Sequence, residues 1–357
     1  MTHNATENQR SALSLAVVGA GLIGRSHIDT IERSRHCVLS AVVDTSPQAR
    51  SASGKRVPLF STLEDLLSVS RPDGIIIATP NSVHVEQGLA CLEAGIPCLI
   101  EKPVAETVDE GLELLEAETR SGIPILIGHH RAHSPIMLEA QRIVESGRLG
   151  TLVAVSGHAT FYKPDSYFDA APWRTKPGGG PILINLIHEV HNLRMLCGEI
   201  HSVQALASNE TRNFPVEDTV AIILRFESGA LGTFLLSDAA ASAKSWEQTS
   251  LENRSYAAYP EEDCYHLAGT LGSLDVPTMR LRTYPGERSW WQPFDQARVP
   301  LERSDPLEAQ LEHFCAVIRH QVEPRVSVRD GLENLKVIEA IAEAAAAGTR
   351  VPLAHTR

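Results

Sequence analysis

The stretch Leu15-Ala16-Val17-Val18-Gly19-Ala20-Gly21-Leu22-Ile23-Gly24 constrains this chain more than any other. An apolar run of strand-forming residues ends in G-x-G-x-x-G, and helix-compatible residues follow. That order describes a buried strand, a tight glycine turn and a helix whose N-terminus faces an anion. Gly19 makes the turn, Gly21 lets a pyrophosphate approach the backbone, and Gly24 allows close helix–strand packing. Free N–H groups near Leu22 and Ile23, with the helix dipole, favour phosphate charge. The bland alternative is a plain glycine turn. The strand before it favours the dinucleotide reading, with Gly19, Gly21, Leu22, Ile23 and Gly24 as cofactor contacts.

With 357 residues the chain exceeds one typical core, so two domains are expected. A formal charge of −12 argues against a general binder of nucleic acid or anionic membrane, which needs basic surface. No apolar run reaches the roughly 18 residues that span a bilayer. Residues 1–12 lack the basic-then-apolar order of a secretory signal and read as a frayed lead-in. The six cysteines are scattered without a C-x-x-C pair, which suits free thiols in a cytoplasmic protein and no metal site.

Strands then alternate with helices. Arg25 to Arg33 reads as a helix, and Val38 to Val43 as a strand ending in Asp44. That aspartate follows Gly24 by twenty residues, where its carboxylate would accept from both ribose hydroxyls and repel a 2′-phosphate. Thr45 and Ser46 follow rather than arginine, so NAD is favoured over NADP. Asp-Thr-Ser-Pro is also a good turn, and that reading stays open. Thr62 to Ser68 reads as a helix, Asp73 to Asn81 holds a strand, and Val83 to Ala94 is a helix closed by Gly95. Pro97 to Ile100 is a strand, Glu106 to Ser121 a helix and Pro124 to Gly128 a strand. This is a doubly wound parallel sheet of α/β Rossmann type. Its strand C-terminal ends collect Gly19 to Gly24, Asp44, Thr79 to Asn81 and Glu101 to Pro103.

Ala78-Thr79-Pro80-Asn81, His84, Ala94-Gly95-Ile96-Pro97 and Glu101-Lys102-Pro103 occur in one order after the glycine loop. That order resembles the glucose–fructose oxidoreductase, inositol dehydrogenase and rhizopine-catabolism (Gfo/Idh/MocA) family, from Leu15 to about Leu353. The resemblance implies that Lys102 is catalytic and that its bond to Pro103 is often cis. It implies that Thr79, Pro80, Asn81, Glu101 and Lys102 contact the cofactor; His84 is counted with them.

Beyond residue 150 the pattern changes. Strand-like segments at Thr151 to His158, Ser202 to Ala207, Thr219 to Phe226 and Ala230 to Leu236 are joined by short turns, which suits an α+β domain with a mainly antiparallel sheet. The resemblance implies an open face used for substrate and subunit contacts. Trp173 and Arg174 are further candidate cofactor contacts. Gly178 to Gly180 read as a flexible turn feeding a helix that presents Asn185, His188 and His191 or Asn192 on one face. The family usually has aspartate four residues before this histidine; here that position is Ile184, and neighbouring Asn185 cannot ionise. Either Asn185 orients the substrate, or the substrate differs from the inositols. His188 is the second catalytic candidate, with a satisfied core histidine as its alternative. Asn185, His188 and His191 join Lys102 as substrate contacts. The cluster His129-His130-Arg131-Ala132-His133 follows the fifth strand, and no carboxylate or thiolate pattern joins it as a metal site.

The expected layout is a lead-in at 1–12, an NAD-binding domain at 13–132, and an α+β domain at 133–357. Its last helix would pack back on the first domain. The expected activity is reversible oxidation of a secondary alcohol on a sugar, cyclitol or related substrate. Rivals are a reductase or dehydrogenase of a hydroxy or imino acid, and a non-catalytic NAD-binding regulator. A homo-oligomer, dimer or tetramer, is implied by the resemblance alone.

Overall fold

Six strands pair in parallel in the first unit: β1 (Leu13–Val18), β2 (Cys37–Val43), β3 (Leu59–Phe60), β4 (Gly74–Ile77), β5 (Cys98–Glu101) and β6 (Ile125–Gly128). The computed structural model describes residues 12–46 and 57–356; the lead-in expected at 1–12 lies outside them, Ala12 excepted. The strand order is β3-β2-β1-β4-β5-β6, so the winding reverses between β1 and β4. The core strands are mostly apolar, as burial on both faces requires. Leu15, Ile75, Ile76, Ile77, Leu99 and Ile100 are fully buried, each contributing about 1.5–3 kcal/mol of hydrophobic stabilisation.

Helices α1 (Leu22–Arg33), α2 (Leu63–Val69), α3 (His84–Glu93) and α4 (Val108–Ser121) connect the strands. Their starts follow side-chain chemistry: Thr62 caps α2, and Thr107 with Glu110 forms a capping box on α4. The two-residue strand β3 escapes sequence reading because it is too short to show a period.

The second unit contains α5 (Pro135–Glu145), β7 (Leu152–Thr160), α6 (Asp165–Asp169), α7 (Ile187–Cys197), β8 (Ile200–Ser208), β9 (Thr219–Phe226) and β10 (Leu231–Ser237). After these come α8 (Trp246–Thr249), β11 (Tyr265–Gly269), β12 (Gly272–Val276), β13 (Arg280–Thr283) and β14 (Asp295–Arg298). Strand β15 (Val351–Pro352) completes a sheet of order β14-β13-β12-β11-β7-β10-β9-β8-β15. Its pairs are antiparallel apart from β7 with β10. Alternation along β9 buries Val220, Ile222, Leu224 and Phe226 while Ala221, Ile223 and Arg225 face outward. One face is therefore core and the other is open.

Two helices remain, α9 (Pro306–Ile318) and α10 (Val328–Ala347). The first unit takes Leu307–Gly331 and ends its earlier segment at Gly128; the second takes His129–Pro306 and Leu332–Arg357. Helix α9 packs on the parallel sheet, and the first turn of α10 reaches it as well, where a Cβ on Gly331 would sit 3.0 Å from Val104 Cβ and 3.2 Å from Ile127 Cγ1. A Cβ on Gly74 would meet Ile318 Cδ1 at 2.5 Å, and Phe314 is fully buried. Both helices are amphipathic, so their patterns did not separate them. The boundary also falls before the expected 132/133, because the turn His130–His133 is tied into the second unit through Arg131. Among the described residues no helix is long and apolar enough to cross a membrane.

Candidate active site

In the first unit the glycine loop leaves β1 and enters α1. Gly19 has φ +91°, and a Cβ there would sit 2.6 Å from the Ala78 carbonyl. A Cβ on Gly24 would sit 1.9 Å from the Gly19 oxygen, whereas one on Gly21 would meet nothing within 4 Å. Two glycines are therefore demanded by packing, and the third leaves room beside the backbone. Helix α1 has no side-chain cap and no acid in its first turn, so its N–H groups face outward without a competing anion. These features fit a dinucleotide's pyrophosphate.

Asp44 stands at the end of β2. Its Oδ2 accepts from Ala20 N and its Oδ1 from Ser46 N, both at 2.6 Å. Partial burial opposes ionisation, but those two N–H groups and Arg25 outweigh it and hold the carboxyl below its ordinary pKa. Beside these N–H groups and the Ser46 hydroxyl, the carboxylate has lone pairs left for ribose hydroxyls. The turn reading and the ribose reading of Asp44 are thus compatible.

At the end of β4, Thr79 Oγ1 donates to Gln87 Oε1 at 2.7 Å, and Asn81 opens a short 3-10 turn. At the end of β5, Glu101 Oε1 lies 2.8 Å from His27 Nε2, and Lys102 N donates to Glu101 Oε2 at 3.3 Å. The Lys102–Pro103 peptide is cis. His84, expected among the cofactor contacts, is instead 1% exposed, with its ring nitrogens 2.8 Å from the Pro103 carbonyl and 2.9 Å from that of Thr79. Burial lowers its pKa against the pull of those carbonyls. It is a strut that sets the Thr79 loop against the Lys102 loop.

In the second unit the residues after Gly180 do not begin as an α-helix. Ile182–Leu186 is a π turn, and regular α geometry starts at Ile187. Such wide turns recur at functional sites. Asn185 therefore precedes the α-helical face on which His188, His191 and Asn192 lie. The glycine turn is packed, not loose as its composition suggests. A Cβ on Gly179 would meet the Trp173 carbonyl at 2.4 Å, and one on Gly180 the Glu217 carboxylate at 2.2 Å. That carboxylate accepts from Ile182 N at 2.9 Å, fixing the π turn's start.

His188 meets His129 and His130 edge-on, with ring centroids at 5.8 and 5.3 Å. His191 stacks on His129 at 4.6 Å. Asn334 orders these rings. Arg194 donates to Asn334 Oδ1 at 2.6 Å, so the amide nitrogen faces His129 Nε2 and His191 Nδ1, each at 3.1 Å. Both ring atoms must then accept, which selects neutral imidazoles. His191 is held among buried side chains, 7% exposed. Trp173 is largely exposed, and Arg174 lies 3.8 Å from the Tyr167 ring centroid while donating to its carbonyl at 2.7 Å.

Sequence reasoning missed two groups. Behind His188, buried Glu189 accepts from Arg131 at 2.6 Å and from the Tyr265 hydroxyl; Asn192 donates to that hydroxyl at 2.9 Å. Lys163 and Asp238 also meet, just past the ends of β7 and β10. Parallel pairing of those strands was the signal that would have brought them together.

Residues 13–129 match the family model described as oxidoreductase family, NAD-binding Rossmann fold, and residues 137–275 match the GFO/IDH/MocA C-terminal domain. The chain is 26% identical to the 1,5-anhydro-D-fructose reductase of Ensifer adhaerens, over 92% of this chain and 96% of that one. It is 31% identical to inositol 2-dehydrogenase 2 of Saccharopolyspora erythraea, over 61% and 65% respectively. The structure superposes on the WlbA dehydrogenase of Bordetella pertussis, solved with NADH and UDP-GlcNAcA. There the TM-score is 0.76 and the identity 25%, covering 97% of this chain and all of that one. With a glycine cradle and a ribose carboxylate on one parallel sheet, a histidine-bearing helix on an open-faced one, and both halves matched, this chain belongs to the GFO/IDH/MocA family of NAD-binding oxidoreductases.

Proposed function

We propose that this oxidoreductase reversibly oxidises a secondary alcohol on a sugar, cyclitol or related polyhydroxylated molecule, with Lys102 relaying the proton. The observation that carries this reading is Lys102 itself. It follows an apolar strand, β5, at the sheet edge that also bears the glycine loop, Asp44 and the Thr79–Asn81 turn. The relatives named as inositol dehydrogenase and anhydrofructose reductase support the substrate class.

NAD supplies the hydride acceptor when bound. The glycine loop holds the pyrophosphate and Asp44 the ribose. A neutral Lys102 Nζ takes the hydroxyl proton as the carbinol C–H bond gives up its electron pair and the C=O bond forms. In the reverse direction its ammonium stabilises the developing oxyanion. His188 is the second candidate, orienting the hydroxyl or sharing its proton. Lys102→Met is expected to bind NAD normally, by fluorescence titration, and to lose about 10²–10⁴-fold in kcat. Unchanged turnover would remove Lys102 from the mechanism.

We also infer a cytoplasmic homo-oligomer. The described cysteines are free thiols, as a reducing compartment keeps them. The open sheet face exposes Leu206, Ile223 and Leu231, an apolar patch suited to a second subunit.

A further inference from the structure

Cys37 opens β2 and Cys315 lies near the end of α9, both within the first unit and each 1% exposed. Glu308, Glu312, Cys315 and Arg319 recur at helical spacing, so they share one side of α9 and of the turn that continues it. Three of the four touch the segment before Cys37. Arg33 donates to Glu308 Oε1 at 3.0 Å, and Glu312 Oε1 lies 3.7 Å from His36 Nε2. The Arg319 guanidinium donates to the His36 carbonyl at 3.3 Å. The fourth, Cys315, is hydrogen-bonded to Cys37, the residue that follows His36. Two thiols far apart in the chain therefore stand side by side.

The two sulfurs are unequal. The hydrogen bond from Cys315 holds the Cys37 thiol below the usual thiol range, against burial and with help from Ser34 and the Arg319 guanidinium. Cys315 is pushed up in turn, because it supplies that proton and is itself buried. A thiolate with a neutral thiol beside it is the arrangement of a nucleophile and its resolving partner. A cavity of about 230 Å³ opens next to them, lined by Ser34 and His36 on one side and by Leu311 and Glu312, a turn before Cys315, on the other. A small peroxide fits that space, whereas a bulky disulfide such as oxidised glutathione cannot bring its sulfurs against thiols so nearly covered. The same unit holds a second thiol pair, Cys91 and Cys98, both 0% exposed. Cys91 and burial push the Cys98 thiol up, which keeps it inert.

We propose that Cys37 and Cys315 form a redox-active dithiol that a small peroxide converts reversibly to a disulfide. The Cys37 thiolate attacks one peroxide oxygen, the O–O bond breaks, and the oxygen that leaves takes a proton from water. Cys37 is then a sulfenic acid. The Cys315 sulfur attacks the Cys37 sulfur, the S–O bond breaks, and hydroxide departs with the Cys315 proton as water. The two thiols give up two electrons and the peroxide accepts them. Two exchange steps with an external thiol restore the pair, the external thiol becoming the disulfide. The bond ties α9 to the start of β2 and closes a loop holding all the chain between them, which restricts the unfolded state. It lies at the other end of β2 from Asp44, so the ribose carboxylate keeps its place.

The test uses the full folded chain, freed of reductant and exposed to hydrogen peroxide in modest molar excess. Thiols are then counted, and peptides are mapped by mass after alkylation. Two of the six thiols should disappear, as a Cys37–Cys315 cross-link lighter by two hydrogens, and dithiothreitol should restore both. Oxidised glutathione at the same concentration should form the cross-link about tenfold more slowly or less. In Cys315→Ser the sulfenic acid has no resolving partner, so dimedone should label Cys37 there and not in fully oxidised wild type. Oxidised wild type should still bind NAD by fluorescence titration, as a cross-link made in the folded protein allows. Cys37 and Cys315 left reduced by peroxide, or a Cys91–Cys98 cross-link formed first, would overturn the proposal. So would equal rates with oxidised glutathione, or NAD binding lost in step with cross-linking.

Discussion

Asp44 illustrates how much one residue decides and how it was found. Its carboxylate is held by two backbone N–H groups and kept below the ordinary pKa, so it is ionised at every working pH. Asp44→Ala should weaken NAD about tenfold or more and relax discrimination against NADP, because the ribose loses two charged acceptors and the 2′-phosphate loses its repulsion. Dissociation constants for both cofactors check this. The sign follows from the lowered pKa: acidifying from pH 8 to 5 should not itself weaken NAD through this group. Loss of affinity across that range would place the ribose acceptor elsewhere. The places of Asp44 and Lys102 just past strand ends were legible, because strand ends in a parallel sheet can be counted along a chain. Lys163 was not, since only the tertiary pairing of β7 with β10 brings it to Asp238. His84 was legible as a motif residue, but its burial was not, because its two carbonyl partners, Thr79 and Pro103, arrive from different loops.

Among the elements, α7 carries the unusual burden of a polar core. Glu189, Asn192 and Arg194 on it are all buried, engaging Arg131, Tyr265 and Asn334. Removing one partner of such a pair leaves an uncompensated charge. Glu189→Ala should therefore destabilise the protein by about 3–5 kcal/mol in urea unfolding, and Tyr265→Phe by about 1–2 kcal/mol. Equal, small effects would mean that the network is not closed. A second charged element lies on β11, β12 and β13. Burial opposes ionisation of Asp275, yet His266 and Arg282 outweigh it and hold the carboxyl at about 2. A carboxyl lowered by folding stabilises the protein fully above its unfolded pKa, and that gain fades as pH falls through the folded value. Between about pH 4 and pH 2, wild type should lose roughly 1 kcal/mol that Asp275→Asn does not, the amount being limited by screening of the half-exposed His266. Acid titration of both proteins by circular dichroism reads the difference. Patterns along the chain revealed α4, β9 and β10 because amphipathic and alternating periods are local. The π turn at Ile182–Leu186 was invisible, since its register depends on the Glu217 carboxylate reaching Ile182 N from another segment.

For the whole molecule, the division of the chain matters more than the count of its elements. The backbone passes between the units after Gly128, Pro306 and Gly331, and the last of these points falls inside α10. That α9 joins the first turn of α10 against the parallel sheet, through Phe314 and Ile318, leaves no trace in its period. Each unit has its own core, but neither is one continuous stretch of chain, and one helix contributes residues to both. Unfolding of either unit therefore releases the ends that the other must hold. All four tryptophans, Trp173, Trp246, Trp290 and Trp291, belong to the second unit, so their fluorescence reports that unit alone. NAD at 100 times its dissociation constant should stabilise the folded chain by about 2.7 kcal/mol. Given the shared helix, that gain should appear in the tryptophan-monitored urea transition as well as in far-ultraviolet circular dichroism. Gly24→Ala drives a Cβ to 1.9 Å from the Gly19 oxygen and should abolish the shift in both probes. Were NAD to move the circular-dichroism transition while leaving the tryptophan transition in place, the units would unfold independently, and continuity of α10 would carry no coupling between them.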